Sequence, residues 1–227
     1  SRGLGDVYKR QLLVDGYFDR GAALGTDLAW NSSTSQGELF GYTIINDQGT
    51  DHLSSGARVD QDGDTRAILI GEHRWNIDDV WTLFLEGSYI SDETLVDAFF
   101  RPLGQSRREF TNSAYLQALD GTNTFSTEVR GQLNDFTPNQ YLLQAPGYNT
   151  EKLPEATYTR LNDDLLSGIA PGLLTYESEY RLSRMQLNFT EPTARELGFD
   201  SVARAREAFG LLPDESLGDR LRARGLT

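Results

Sequence analysis

The chain has 227 residues, no cysteine, and a formal net charge of −13 with a pI near 4.6. Disulfides and thiolate metal sites are thereby excluded, and so is nucleic acid as a partner, because phosphate binding needs a basic surface. No apolar run approaches the roughly 18 residues of a membrane helix, but a β-barrel hides its apolar surface in alternate positions and stays open as a reading.

An apolar content of 38% permits a core, and 22 Gly, 10 Tyr and 11 Phe favour strands and interfaces over helices. Ser1 to Gln11, SRGLGDVYKRQ, lacks an initiator Met. Only Leu12-Leu13-Val14 follow its basic residues, too short for the apolar part of a signal peptide. The string resembles translated adapter read-through. Residues 1–11 are therefore set aside as non-native, and the chain is expected to be a piece of a longer protein.

Alternating side chains then predict an antiparallel up-and-down meander of about eight strands over residues 12–190. The first spans Tyr17 to Asn31, with Leu24, Thr26, Leu28 and Trp30 on one face and Gly25, Asp27 and Ala29 on the other. After a polar connection at 32–36, the second spans Glu38 to Asn46, with Phe40, Tyr42 and Ile44 on one face. Residues 47–63 read as a long polar loop. The third strand is Asp64 to Trp75; an Asn76-Ile77-Asp78-Asp79 corner leads to the fourth, Val80 to Ile90, with Trp81, Leu83, Leu85 and Tyr89 opposite Glu86 and Ser88. Loop 91–106 carries Leu95, Val96, Phe99 and Phe100 at helical spacing.

The fifth strand, Arg107 to Leu119, ends at Asp120-Gly121, a two-residue hairpin signal. In the sixth, Thr122 to Leu133, Phe125, Thr127, Val129 and Leu133 alternate with Ser126, Glu128, Arg130 and Gln132. Pro138, Pro146, Gly147 and Pro154 make 134–155 a loop. The seventh strand is Ala156 to Leu166. The eighth, Leu173 to Phe189, sets Leu174, Tyr176, Tyr180 and Leu182 against Thr175, Glu177, Glu179 and Arg181. Asp200 caps a predicted helix over SVARAREAFG, and Ser216 to Arg224 forms a second amphipathic piece. Residues 191–227 are thus a helical insertion or loop, or the start of another domain.

Short and long connections alternate along this order. That asymmetry belongs to a large outer-membrane barrel, with tight turns on the periplasmic side and long loops outside. On this reading Leu24, Leu28, Trp30, Trp81, Leu83, Leu85, Tyr89, Phe125, Val129, Leu133, Tyr176 and Tyr180 face lipid or its interface. Asp27, Glu86, Ser88, Glu128, Arg130, Gln132, Glu177, Glu179 and Arg181 then line a lumen. In a soluble sheet the same polar residues would simply face water.

No catalytic, cofactor or metal site is expected. His52 and His73 lack metal-ligand spacing, and the acid pairs Asp78-Asp79 and Asp163-Asp164 read as solvated turn residues rather than a glycosidase pair. Neither a phosphate loop nor a nucleophile elbow is visible.

Five stretches carry a family resemblance: GYTIINDQGTDHLS, EHRWNIDDVWTLFLEGSYISDETLVDAFF, RREFTNSAYLQALDGTNTFSTEVRGQLNDF, LPEATYTRL and LLTYESEYRL. From Asp15 to Phe189 their order resembles the middle of the LptD (OstA) family of outer-membrane lipopolysaccharide-assembly barrels. The resemblance implies a non-catalytic, cofactor-free barrel segment in a Gram-negative-type outer membrane. It would take lipopolysaccharide from periplasmic bridge proteins, hold an LptE-like lipoprotein plug, and deliver the lipid to the outer leaflet. The periplasmic jellyroll and the first-to-last strand seam would lie elsewhere in the protein. The family's paired cysteines, where present, fall largely outside this stretch, and the tail after Glu191 matches none of the pattern. The alternatives are another porin-like outer-membrane channel and a secreted glycan-binding β-sandwich.

Overall fold

Where side chains alternate in the sequence, the backbone forms ladders between sequence neighbours. The computed structural model describes residues 7–18, 20–106, 109–134, 136, 148–189 and positions 204, 207, 208 and 210. Nine strands make one antiparallel sheet: β1 (Val7–Tyr17), β2 (Gly21–Asn31), β3 (Ser35–Asp47), β6 (Asp64–Asn76), β7 (Trp81–Ile90), β8 (Asn112–Asp120), β9 (Asn123–Gly131), β10 (Tyr148–Asp164) and β11 (Thr175–Phe189). Each pairs with the next in chain order, and β1 and β11 are the two edges. A separate hairpin, β4 (Thr50–His52) and β5 (Arg58–Asp60), lies in the connection after β3. Two short helices, α1 (Leu95–Phe99) and α2 (Arg101–Gln105), follow β7. Among the described residues no helix is long and apolar enough to cross a membrane.

The predicted meander is present, with several corrections. Residues 7–11, set aside from the sequence, belong to β1 and pair with Asp27 to Asn31. Tyr17, predicted to start a strand, ends one, so the first predicted strand is a hairpin arm and the sheet has nine strands. Gly21 makes this turn possible: its φ is +83°, and a Cβ there would meet the Ile45 carbonyl oxygen at 2.1 Å. The short turn at 18–20 sits at the end where the long loops gather, so the alternation of connection lengths is incomplete.

Other boundaries move for local reasons. The tight turn comes one residue later than predicted, with Asp120 and Asn123 closing it and Gly121 at φ +56°. The strand predicted to start at Arg107 starts at Asn112, and β9 ends at Gly131, which leaves Gln132 and Leu133 beyond it. Strand β10 begins at Tyr148, inside the predicted proline-rich loop. It accommodates Pro154 at a register shift between Lys152 and Glu155, where no ladder donor is required. Of the predicted tail, positions 204, 207 and 208 are helical; Asp200 and the piece from Ser216 to Arg224 lie outside the described residues.

Register partners share a face, so the ladders define two surfaces. The leucine face carries Leu24, Leu39, Leu69, Leu85, Val129 and Tyr180; the charged face carries Glu86, Glu128 and Arg181. The buried core lies on the charged face, at its long-loop end. There Ala23, Tyr42, Ile44, Ile68, Ile70 and Ile90 pack under Leu95, Val96 and Phe110 from the loop after β7. The predicted stripe Phe40, Tyr42 and Ile44 is therefore on the opposite face from Leu24 and Leu28.

A β-bulge directs the next side chain into this core. The register shifts between Ile44 and Asp47, and Asn46 takes φ +59°. Asn tolerates that region better than most residues, and the extra residue turns Asp47 toward the core side. Replacing Asn46 by Val should cost ~1–2 kcal/mol, because a β-branched side chain pays the left-handed penalty that the Asn amide offsets locally, while Asn46→Gly should not. Equal denaturant midpoints for the two variants would refute this role.

Candidate functional site

The leucine face is at least partly exposed on each of the nine strands, although Ala118 on β8 is buried. Leu24 is 50% accessible, Leu85 41% and Tyr180 61%, and their neighbours on β1, Leu12 and Val14, are more exposed still. Of the twelve residues predicted to meet lipid, eleven lie on this face by register; Leu133 follows β9 in the chain. Aromatic side chains gather toward the short-turn end. Trp30 donates its indole hydrogen to Nδ1 of His73 at 3.2 Å, and Trp81 meets Phe125 edge to face at 6.1 Å.

The charged face collects the predicted polar set. Asp27 accepts from Lys9 at 2.7 Å, Glu128 from Lys152 at 2.8 Å, and Arg181 lies 3.3 Å from Glu179. Arg130 pairs with Glu109, and Glu86 accepts from the Thr111 hydroxyl at 3.2 Å. Glu177 shares the face, and Gln132 lies beyond the end of β9. Ser88 does not line open space: it is buried, and its hydroxyl donates to the Thr111 carbonyl. The loop after β7 covers it.

Register also joins residues that the sequence reading kept apart. Glu38, Glu72, Glu86, Ser113, Arg130 and Lys152 are successive partners across six strands. Three carboxylates thus adjoin a half that ends in two cations. Like charges directly opposite oppose pairing in a sheet, and the Thr111 hydroxyl donated to Glu86 offsets part of this. Glu38 and Glu72 escaped notice because each stands where its predicted strand alternates least clearly.

The most buried polar cluster was missed altogether. Arg66 is 2% exposed, and Asp47 and Asp51 are 0% exposed. The Arg66 guanidinium donates to Asp47 at 2.8 Å, to Asp51 at 3.1 Å, and through two nitrogens to Asp92 at 2.9 and 2.7 Å. Arg20, from the turn after β1, donates to Asp47 at 3.0 and 3.1 Å and also to Asp51. Thr94 precedes α1 but does not cap it with its side chain; its hydroxyl donates to Asp51 at 2.6 Å and accepts from Arg66 at 2.9 Å. The Phe99 ring covers both guanidinium groups, at 4.4 Å from Arg20 and 5.5 Å from Arg66. Residues from β3, β4, β6 and two connections are tied at one point. The predicted polar loop 47–63 is thus folded and anchored. A signal for it existed, since Arg66 shares a face with Ile68 and Ile70, where a solvated arginine does not belong.

Asp92 is the titratable edge of the cluster. Burial alone would raise its carboxyl, but the bidentate Arg66 guanidinium, with the Ser91 and Thr94 hydroxyls, outweighs burial and holds it below the ordinary carboxylate value. A depressed folded-state pKa contributes stability above the unfolded value and loses it as pH falls through the folded one. The stability difference between the native chain and Asp92→Asn should therefore be largest above pH ~5 and shrink below pH ~4, near the ordinary value of an aspartate. Denaturant midpoints measured across that range check this, and a difference independent of pH would refute it.

No family model and no curated protein matches the chain.

Function must then be argued from the two faces and the clamped loops. Among the described residues no group of three or more His, Asp or Glu is arranged to hold a metal ion. His52 and His73 stay apart, His52 in β4 and His73 against Trp30 in the main sheet. Asp78 accepts from the backbone N–H groups of Val80 and Trp81, which is a turn role. Asp164 accepts from the Leu166 and Gly172 backbone in the same way. The sheet thus carries an apolar face and a charged face.

Proposed function

We propose that the sheet is part of the wall of a large outer-membrane β-barrel that passes lipopolysaccharide to the outer leaflet. The leucine face meets lipid, the charged face lines the lumen, the short turns lie in the periplasm and the clamped loops lie outside the cell. The observation that carries this reading is the exposed leucine face, continuous over nine strands, with its aromatics gathered near the short turns. Tyr and Trp favour the headgroup level, where the ring is buried and its polar edge is wet. Five of the nine strands, with 9 to 11 residues, match the ~9–11 of a strand that crosses a bilayer, and β3, β6, β10 and β11 run longer at 13, 13, 17 and 15. A secreted sandwich would need a second layer over Leu24, Leu85 and Tyr180, and among the described residues those side chains are exposed.

Lipopolysaccharide as the cargo rests on the LptD resemblance together with this two-faced wall. The chain then works without catalysis or cofactor, beside an LptE-like lipoprotein plug and periplasmic bridge proteins. A photo-crosslinking residue placed at Glu86 or Glu128 in cells tests it. Lipopolysaccharide adducts at those positions, exceeding those at Leu85, are expected; adducts at none of them would overturn the reading. The row from Glu38 to Lys152 supports a second reading, a solute channel, because charged rows in a lumen select ions. Bilayer conductance that lipopolysaccharide leaves unchanged would favour that channel.

A further inference from the structure

On the leucine face a groove of about 410 Å³ crosses the middle of the sheet, walled by Trp30, Leu39, Leu69, Leu85, Tyr89 and Leu133. Its floor is glycine. Gly71 and Gly87 are direct register partners on β6 and β7. Neither has a positive φ, so the backbone does not require glycine at them. A Cβ on Gly71 would press on Leu39 Cδ1 at 3.0 Å, whereas one on Gly87 would meet only Asn112 Oδ1, at 3.7 Å, so Gly87 is the roomier part of the floor. What glycine provides here is an absent side chain, and the absence makes the groove.

The polar groups at the groove are turned inward. Asn112 accepts from the Ser88 backbone N–H at 2.9 Å and donates to the Ser88 carbonyl at 3.2 Å, so both ends of its amide are used. Trp30 spends its indole hydrogen on His73. The outward wall is chiefly hydrocarbon and ring, with the His73 imidazole held against Trp30. Neighbouring strands stand ~4.8 Å apart, and a trough floored by one row of paired residues is too narrow for a helix, which with side chains is ~10–12 Å across.

We infer that this groove holds one acyl chain of a bilayer lipid, seated over Gly87 beside Leu39 and flanked by Trp30. The inference rests on the leucine face meeting lipid. The occupant is apolar because no outward polar atom of Asn112 or Trp30 is left for a headgroup, and it is a single chain because the floor is one row deep. The groove is continuous with the apolar face, so a lipid enters it sideways without leaving hydrocarbon.

Two single-tryptophan forms of the full chain test it, one keeping Trp30 and the other keeping Trp75, which is exposed on the same face. Each is reconstituted in vesicles of phosphatidylcholine brominated on its acyl chains, then extracted into plain detergent. Both tryptophans should be quenched in the vesicles. After extraction Trp75 should recover, while Trp30 stays quenched by the retained chain; Gly87→Leu, which fills the groove, should release Trp30. Full recovery of Trp30 in the native chain would overturn the groove as a lipid site while leaving the barrel reading intact. A Gly87→Leu chain that changes its oligomeric state and not its retained quenching would replace the lipid with a second copy. Absence of quenching for both tryptophans in vesicles would overturn the membrane reading itself.

Discussion

Replacing Arg66 by Met should cost ~3–5 kcal/mol of stability, because removing one partner of a buried ion pair leaves the others uncompensated. Asp47 and Asp51 are wholly buried around it, and Asp92 is held by two of its nitrogens. Methionine would fill much of the volume but leave three carboxylates with Arg20 as the remaining cation. Arg66→Lys should recover little of the loss. A single ammonium cannot serve Asp47, Asp51, Asp92 and the Thr94 hydroxyl from the positions a planar guanidinium reaches. Chemical unfolding of the chain in detergent micelles gives the number. A loss below ~1 kcal/mol, the usual ceiling for a surface pair, would show that these loops are not clamped there.

Leu85→Arg carries the second large effect, and its size separates a bilayer from water. On a lipid face near the midplane an arginine costs ~2–4 kcal/mol. On a solvated face the same change should stay within ~0.5 kcal/mol, since Leu85 is already 41% exposed. Its neighbour on the other face is the internal control. Glu86→Gln keeps the acceptor for Thr111 and should shift stability by no more than ~0.5 kcal/mol under either reading. Folding yields and midpoints in vesicles measure both. Equal behaviour of the two variants would remove the bilayer from the account of this sheet.

Much of the sheet was legible in the sequence, because period-two alternation is a local property. Trp81 to Ile90 and Phe125 to Gly131 show it cleanly, and the structure places strands there. Where one face was apolar at one end and charged at the other, alternation misled. On β3 the Phe40, Tyr42 and Ile44 stripe faces the loop core, while Leu39 faces outward with Leu28 and Leu69. The clamp could not be read by period at all. Asp47 reaches it through a bulge at Asn46, Asp51 through a three-residue strand, and Asp92 and Thr94 through a turn. Each lies in a stretch whose composition reads as solvated loop, and only a shared point in space makes the acids and arginines partners. Strand β10 runs longer than the sequence pattern predicts because Pro154, a strand breaker by residue type, occupies a bulge.

The nearest-neighbour strand order has a kinetic consequence. Every ladder closes between elements adjacent along the chain, so no pairing waits for a distant segment, and low contact order favours fast assembly. The ladders are not equal, however. Between β7 and β8 the register runs only from Trp81 with Ala118 to Glu86 with Ser113. On the amino-terminal side of that joint, Arg66 and Arg20 tie β3, β4 and β6 to two connections; on the other, β8 to β11 are joined by ladders, surface ion pairs and ring contacts. The clamped part should therefore open less readily than β8 to β11, a difference that hydrogen exchange would register as slower exchange in β3 and β6.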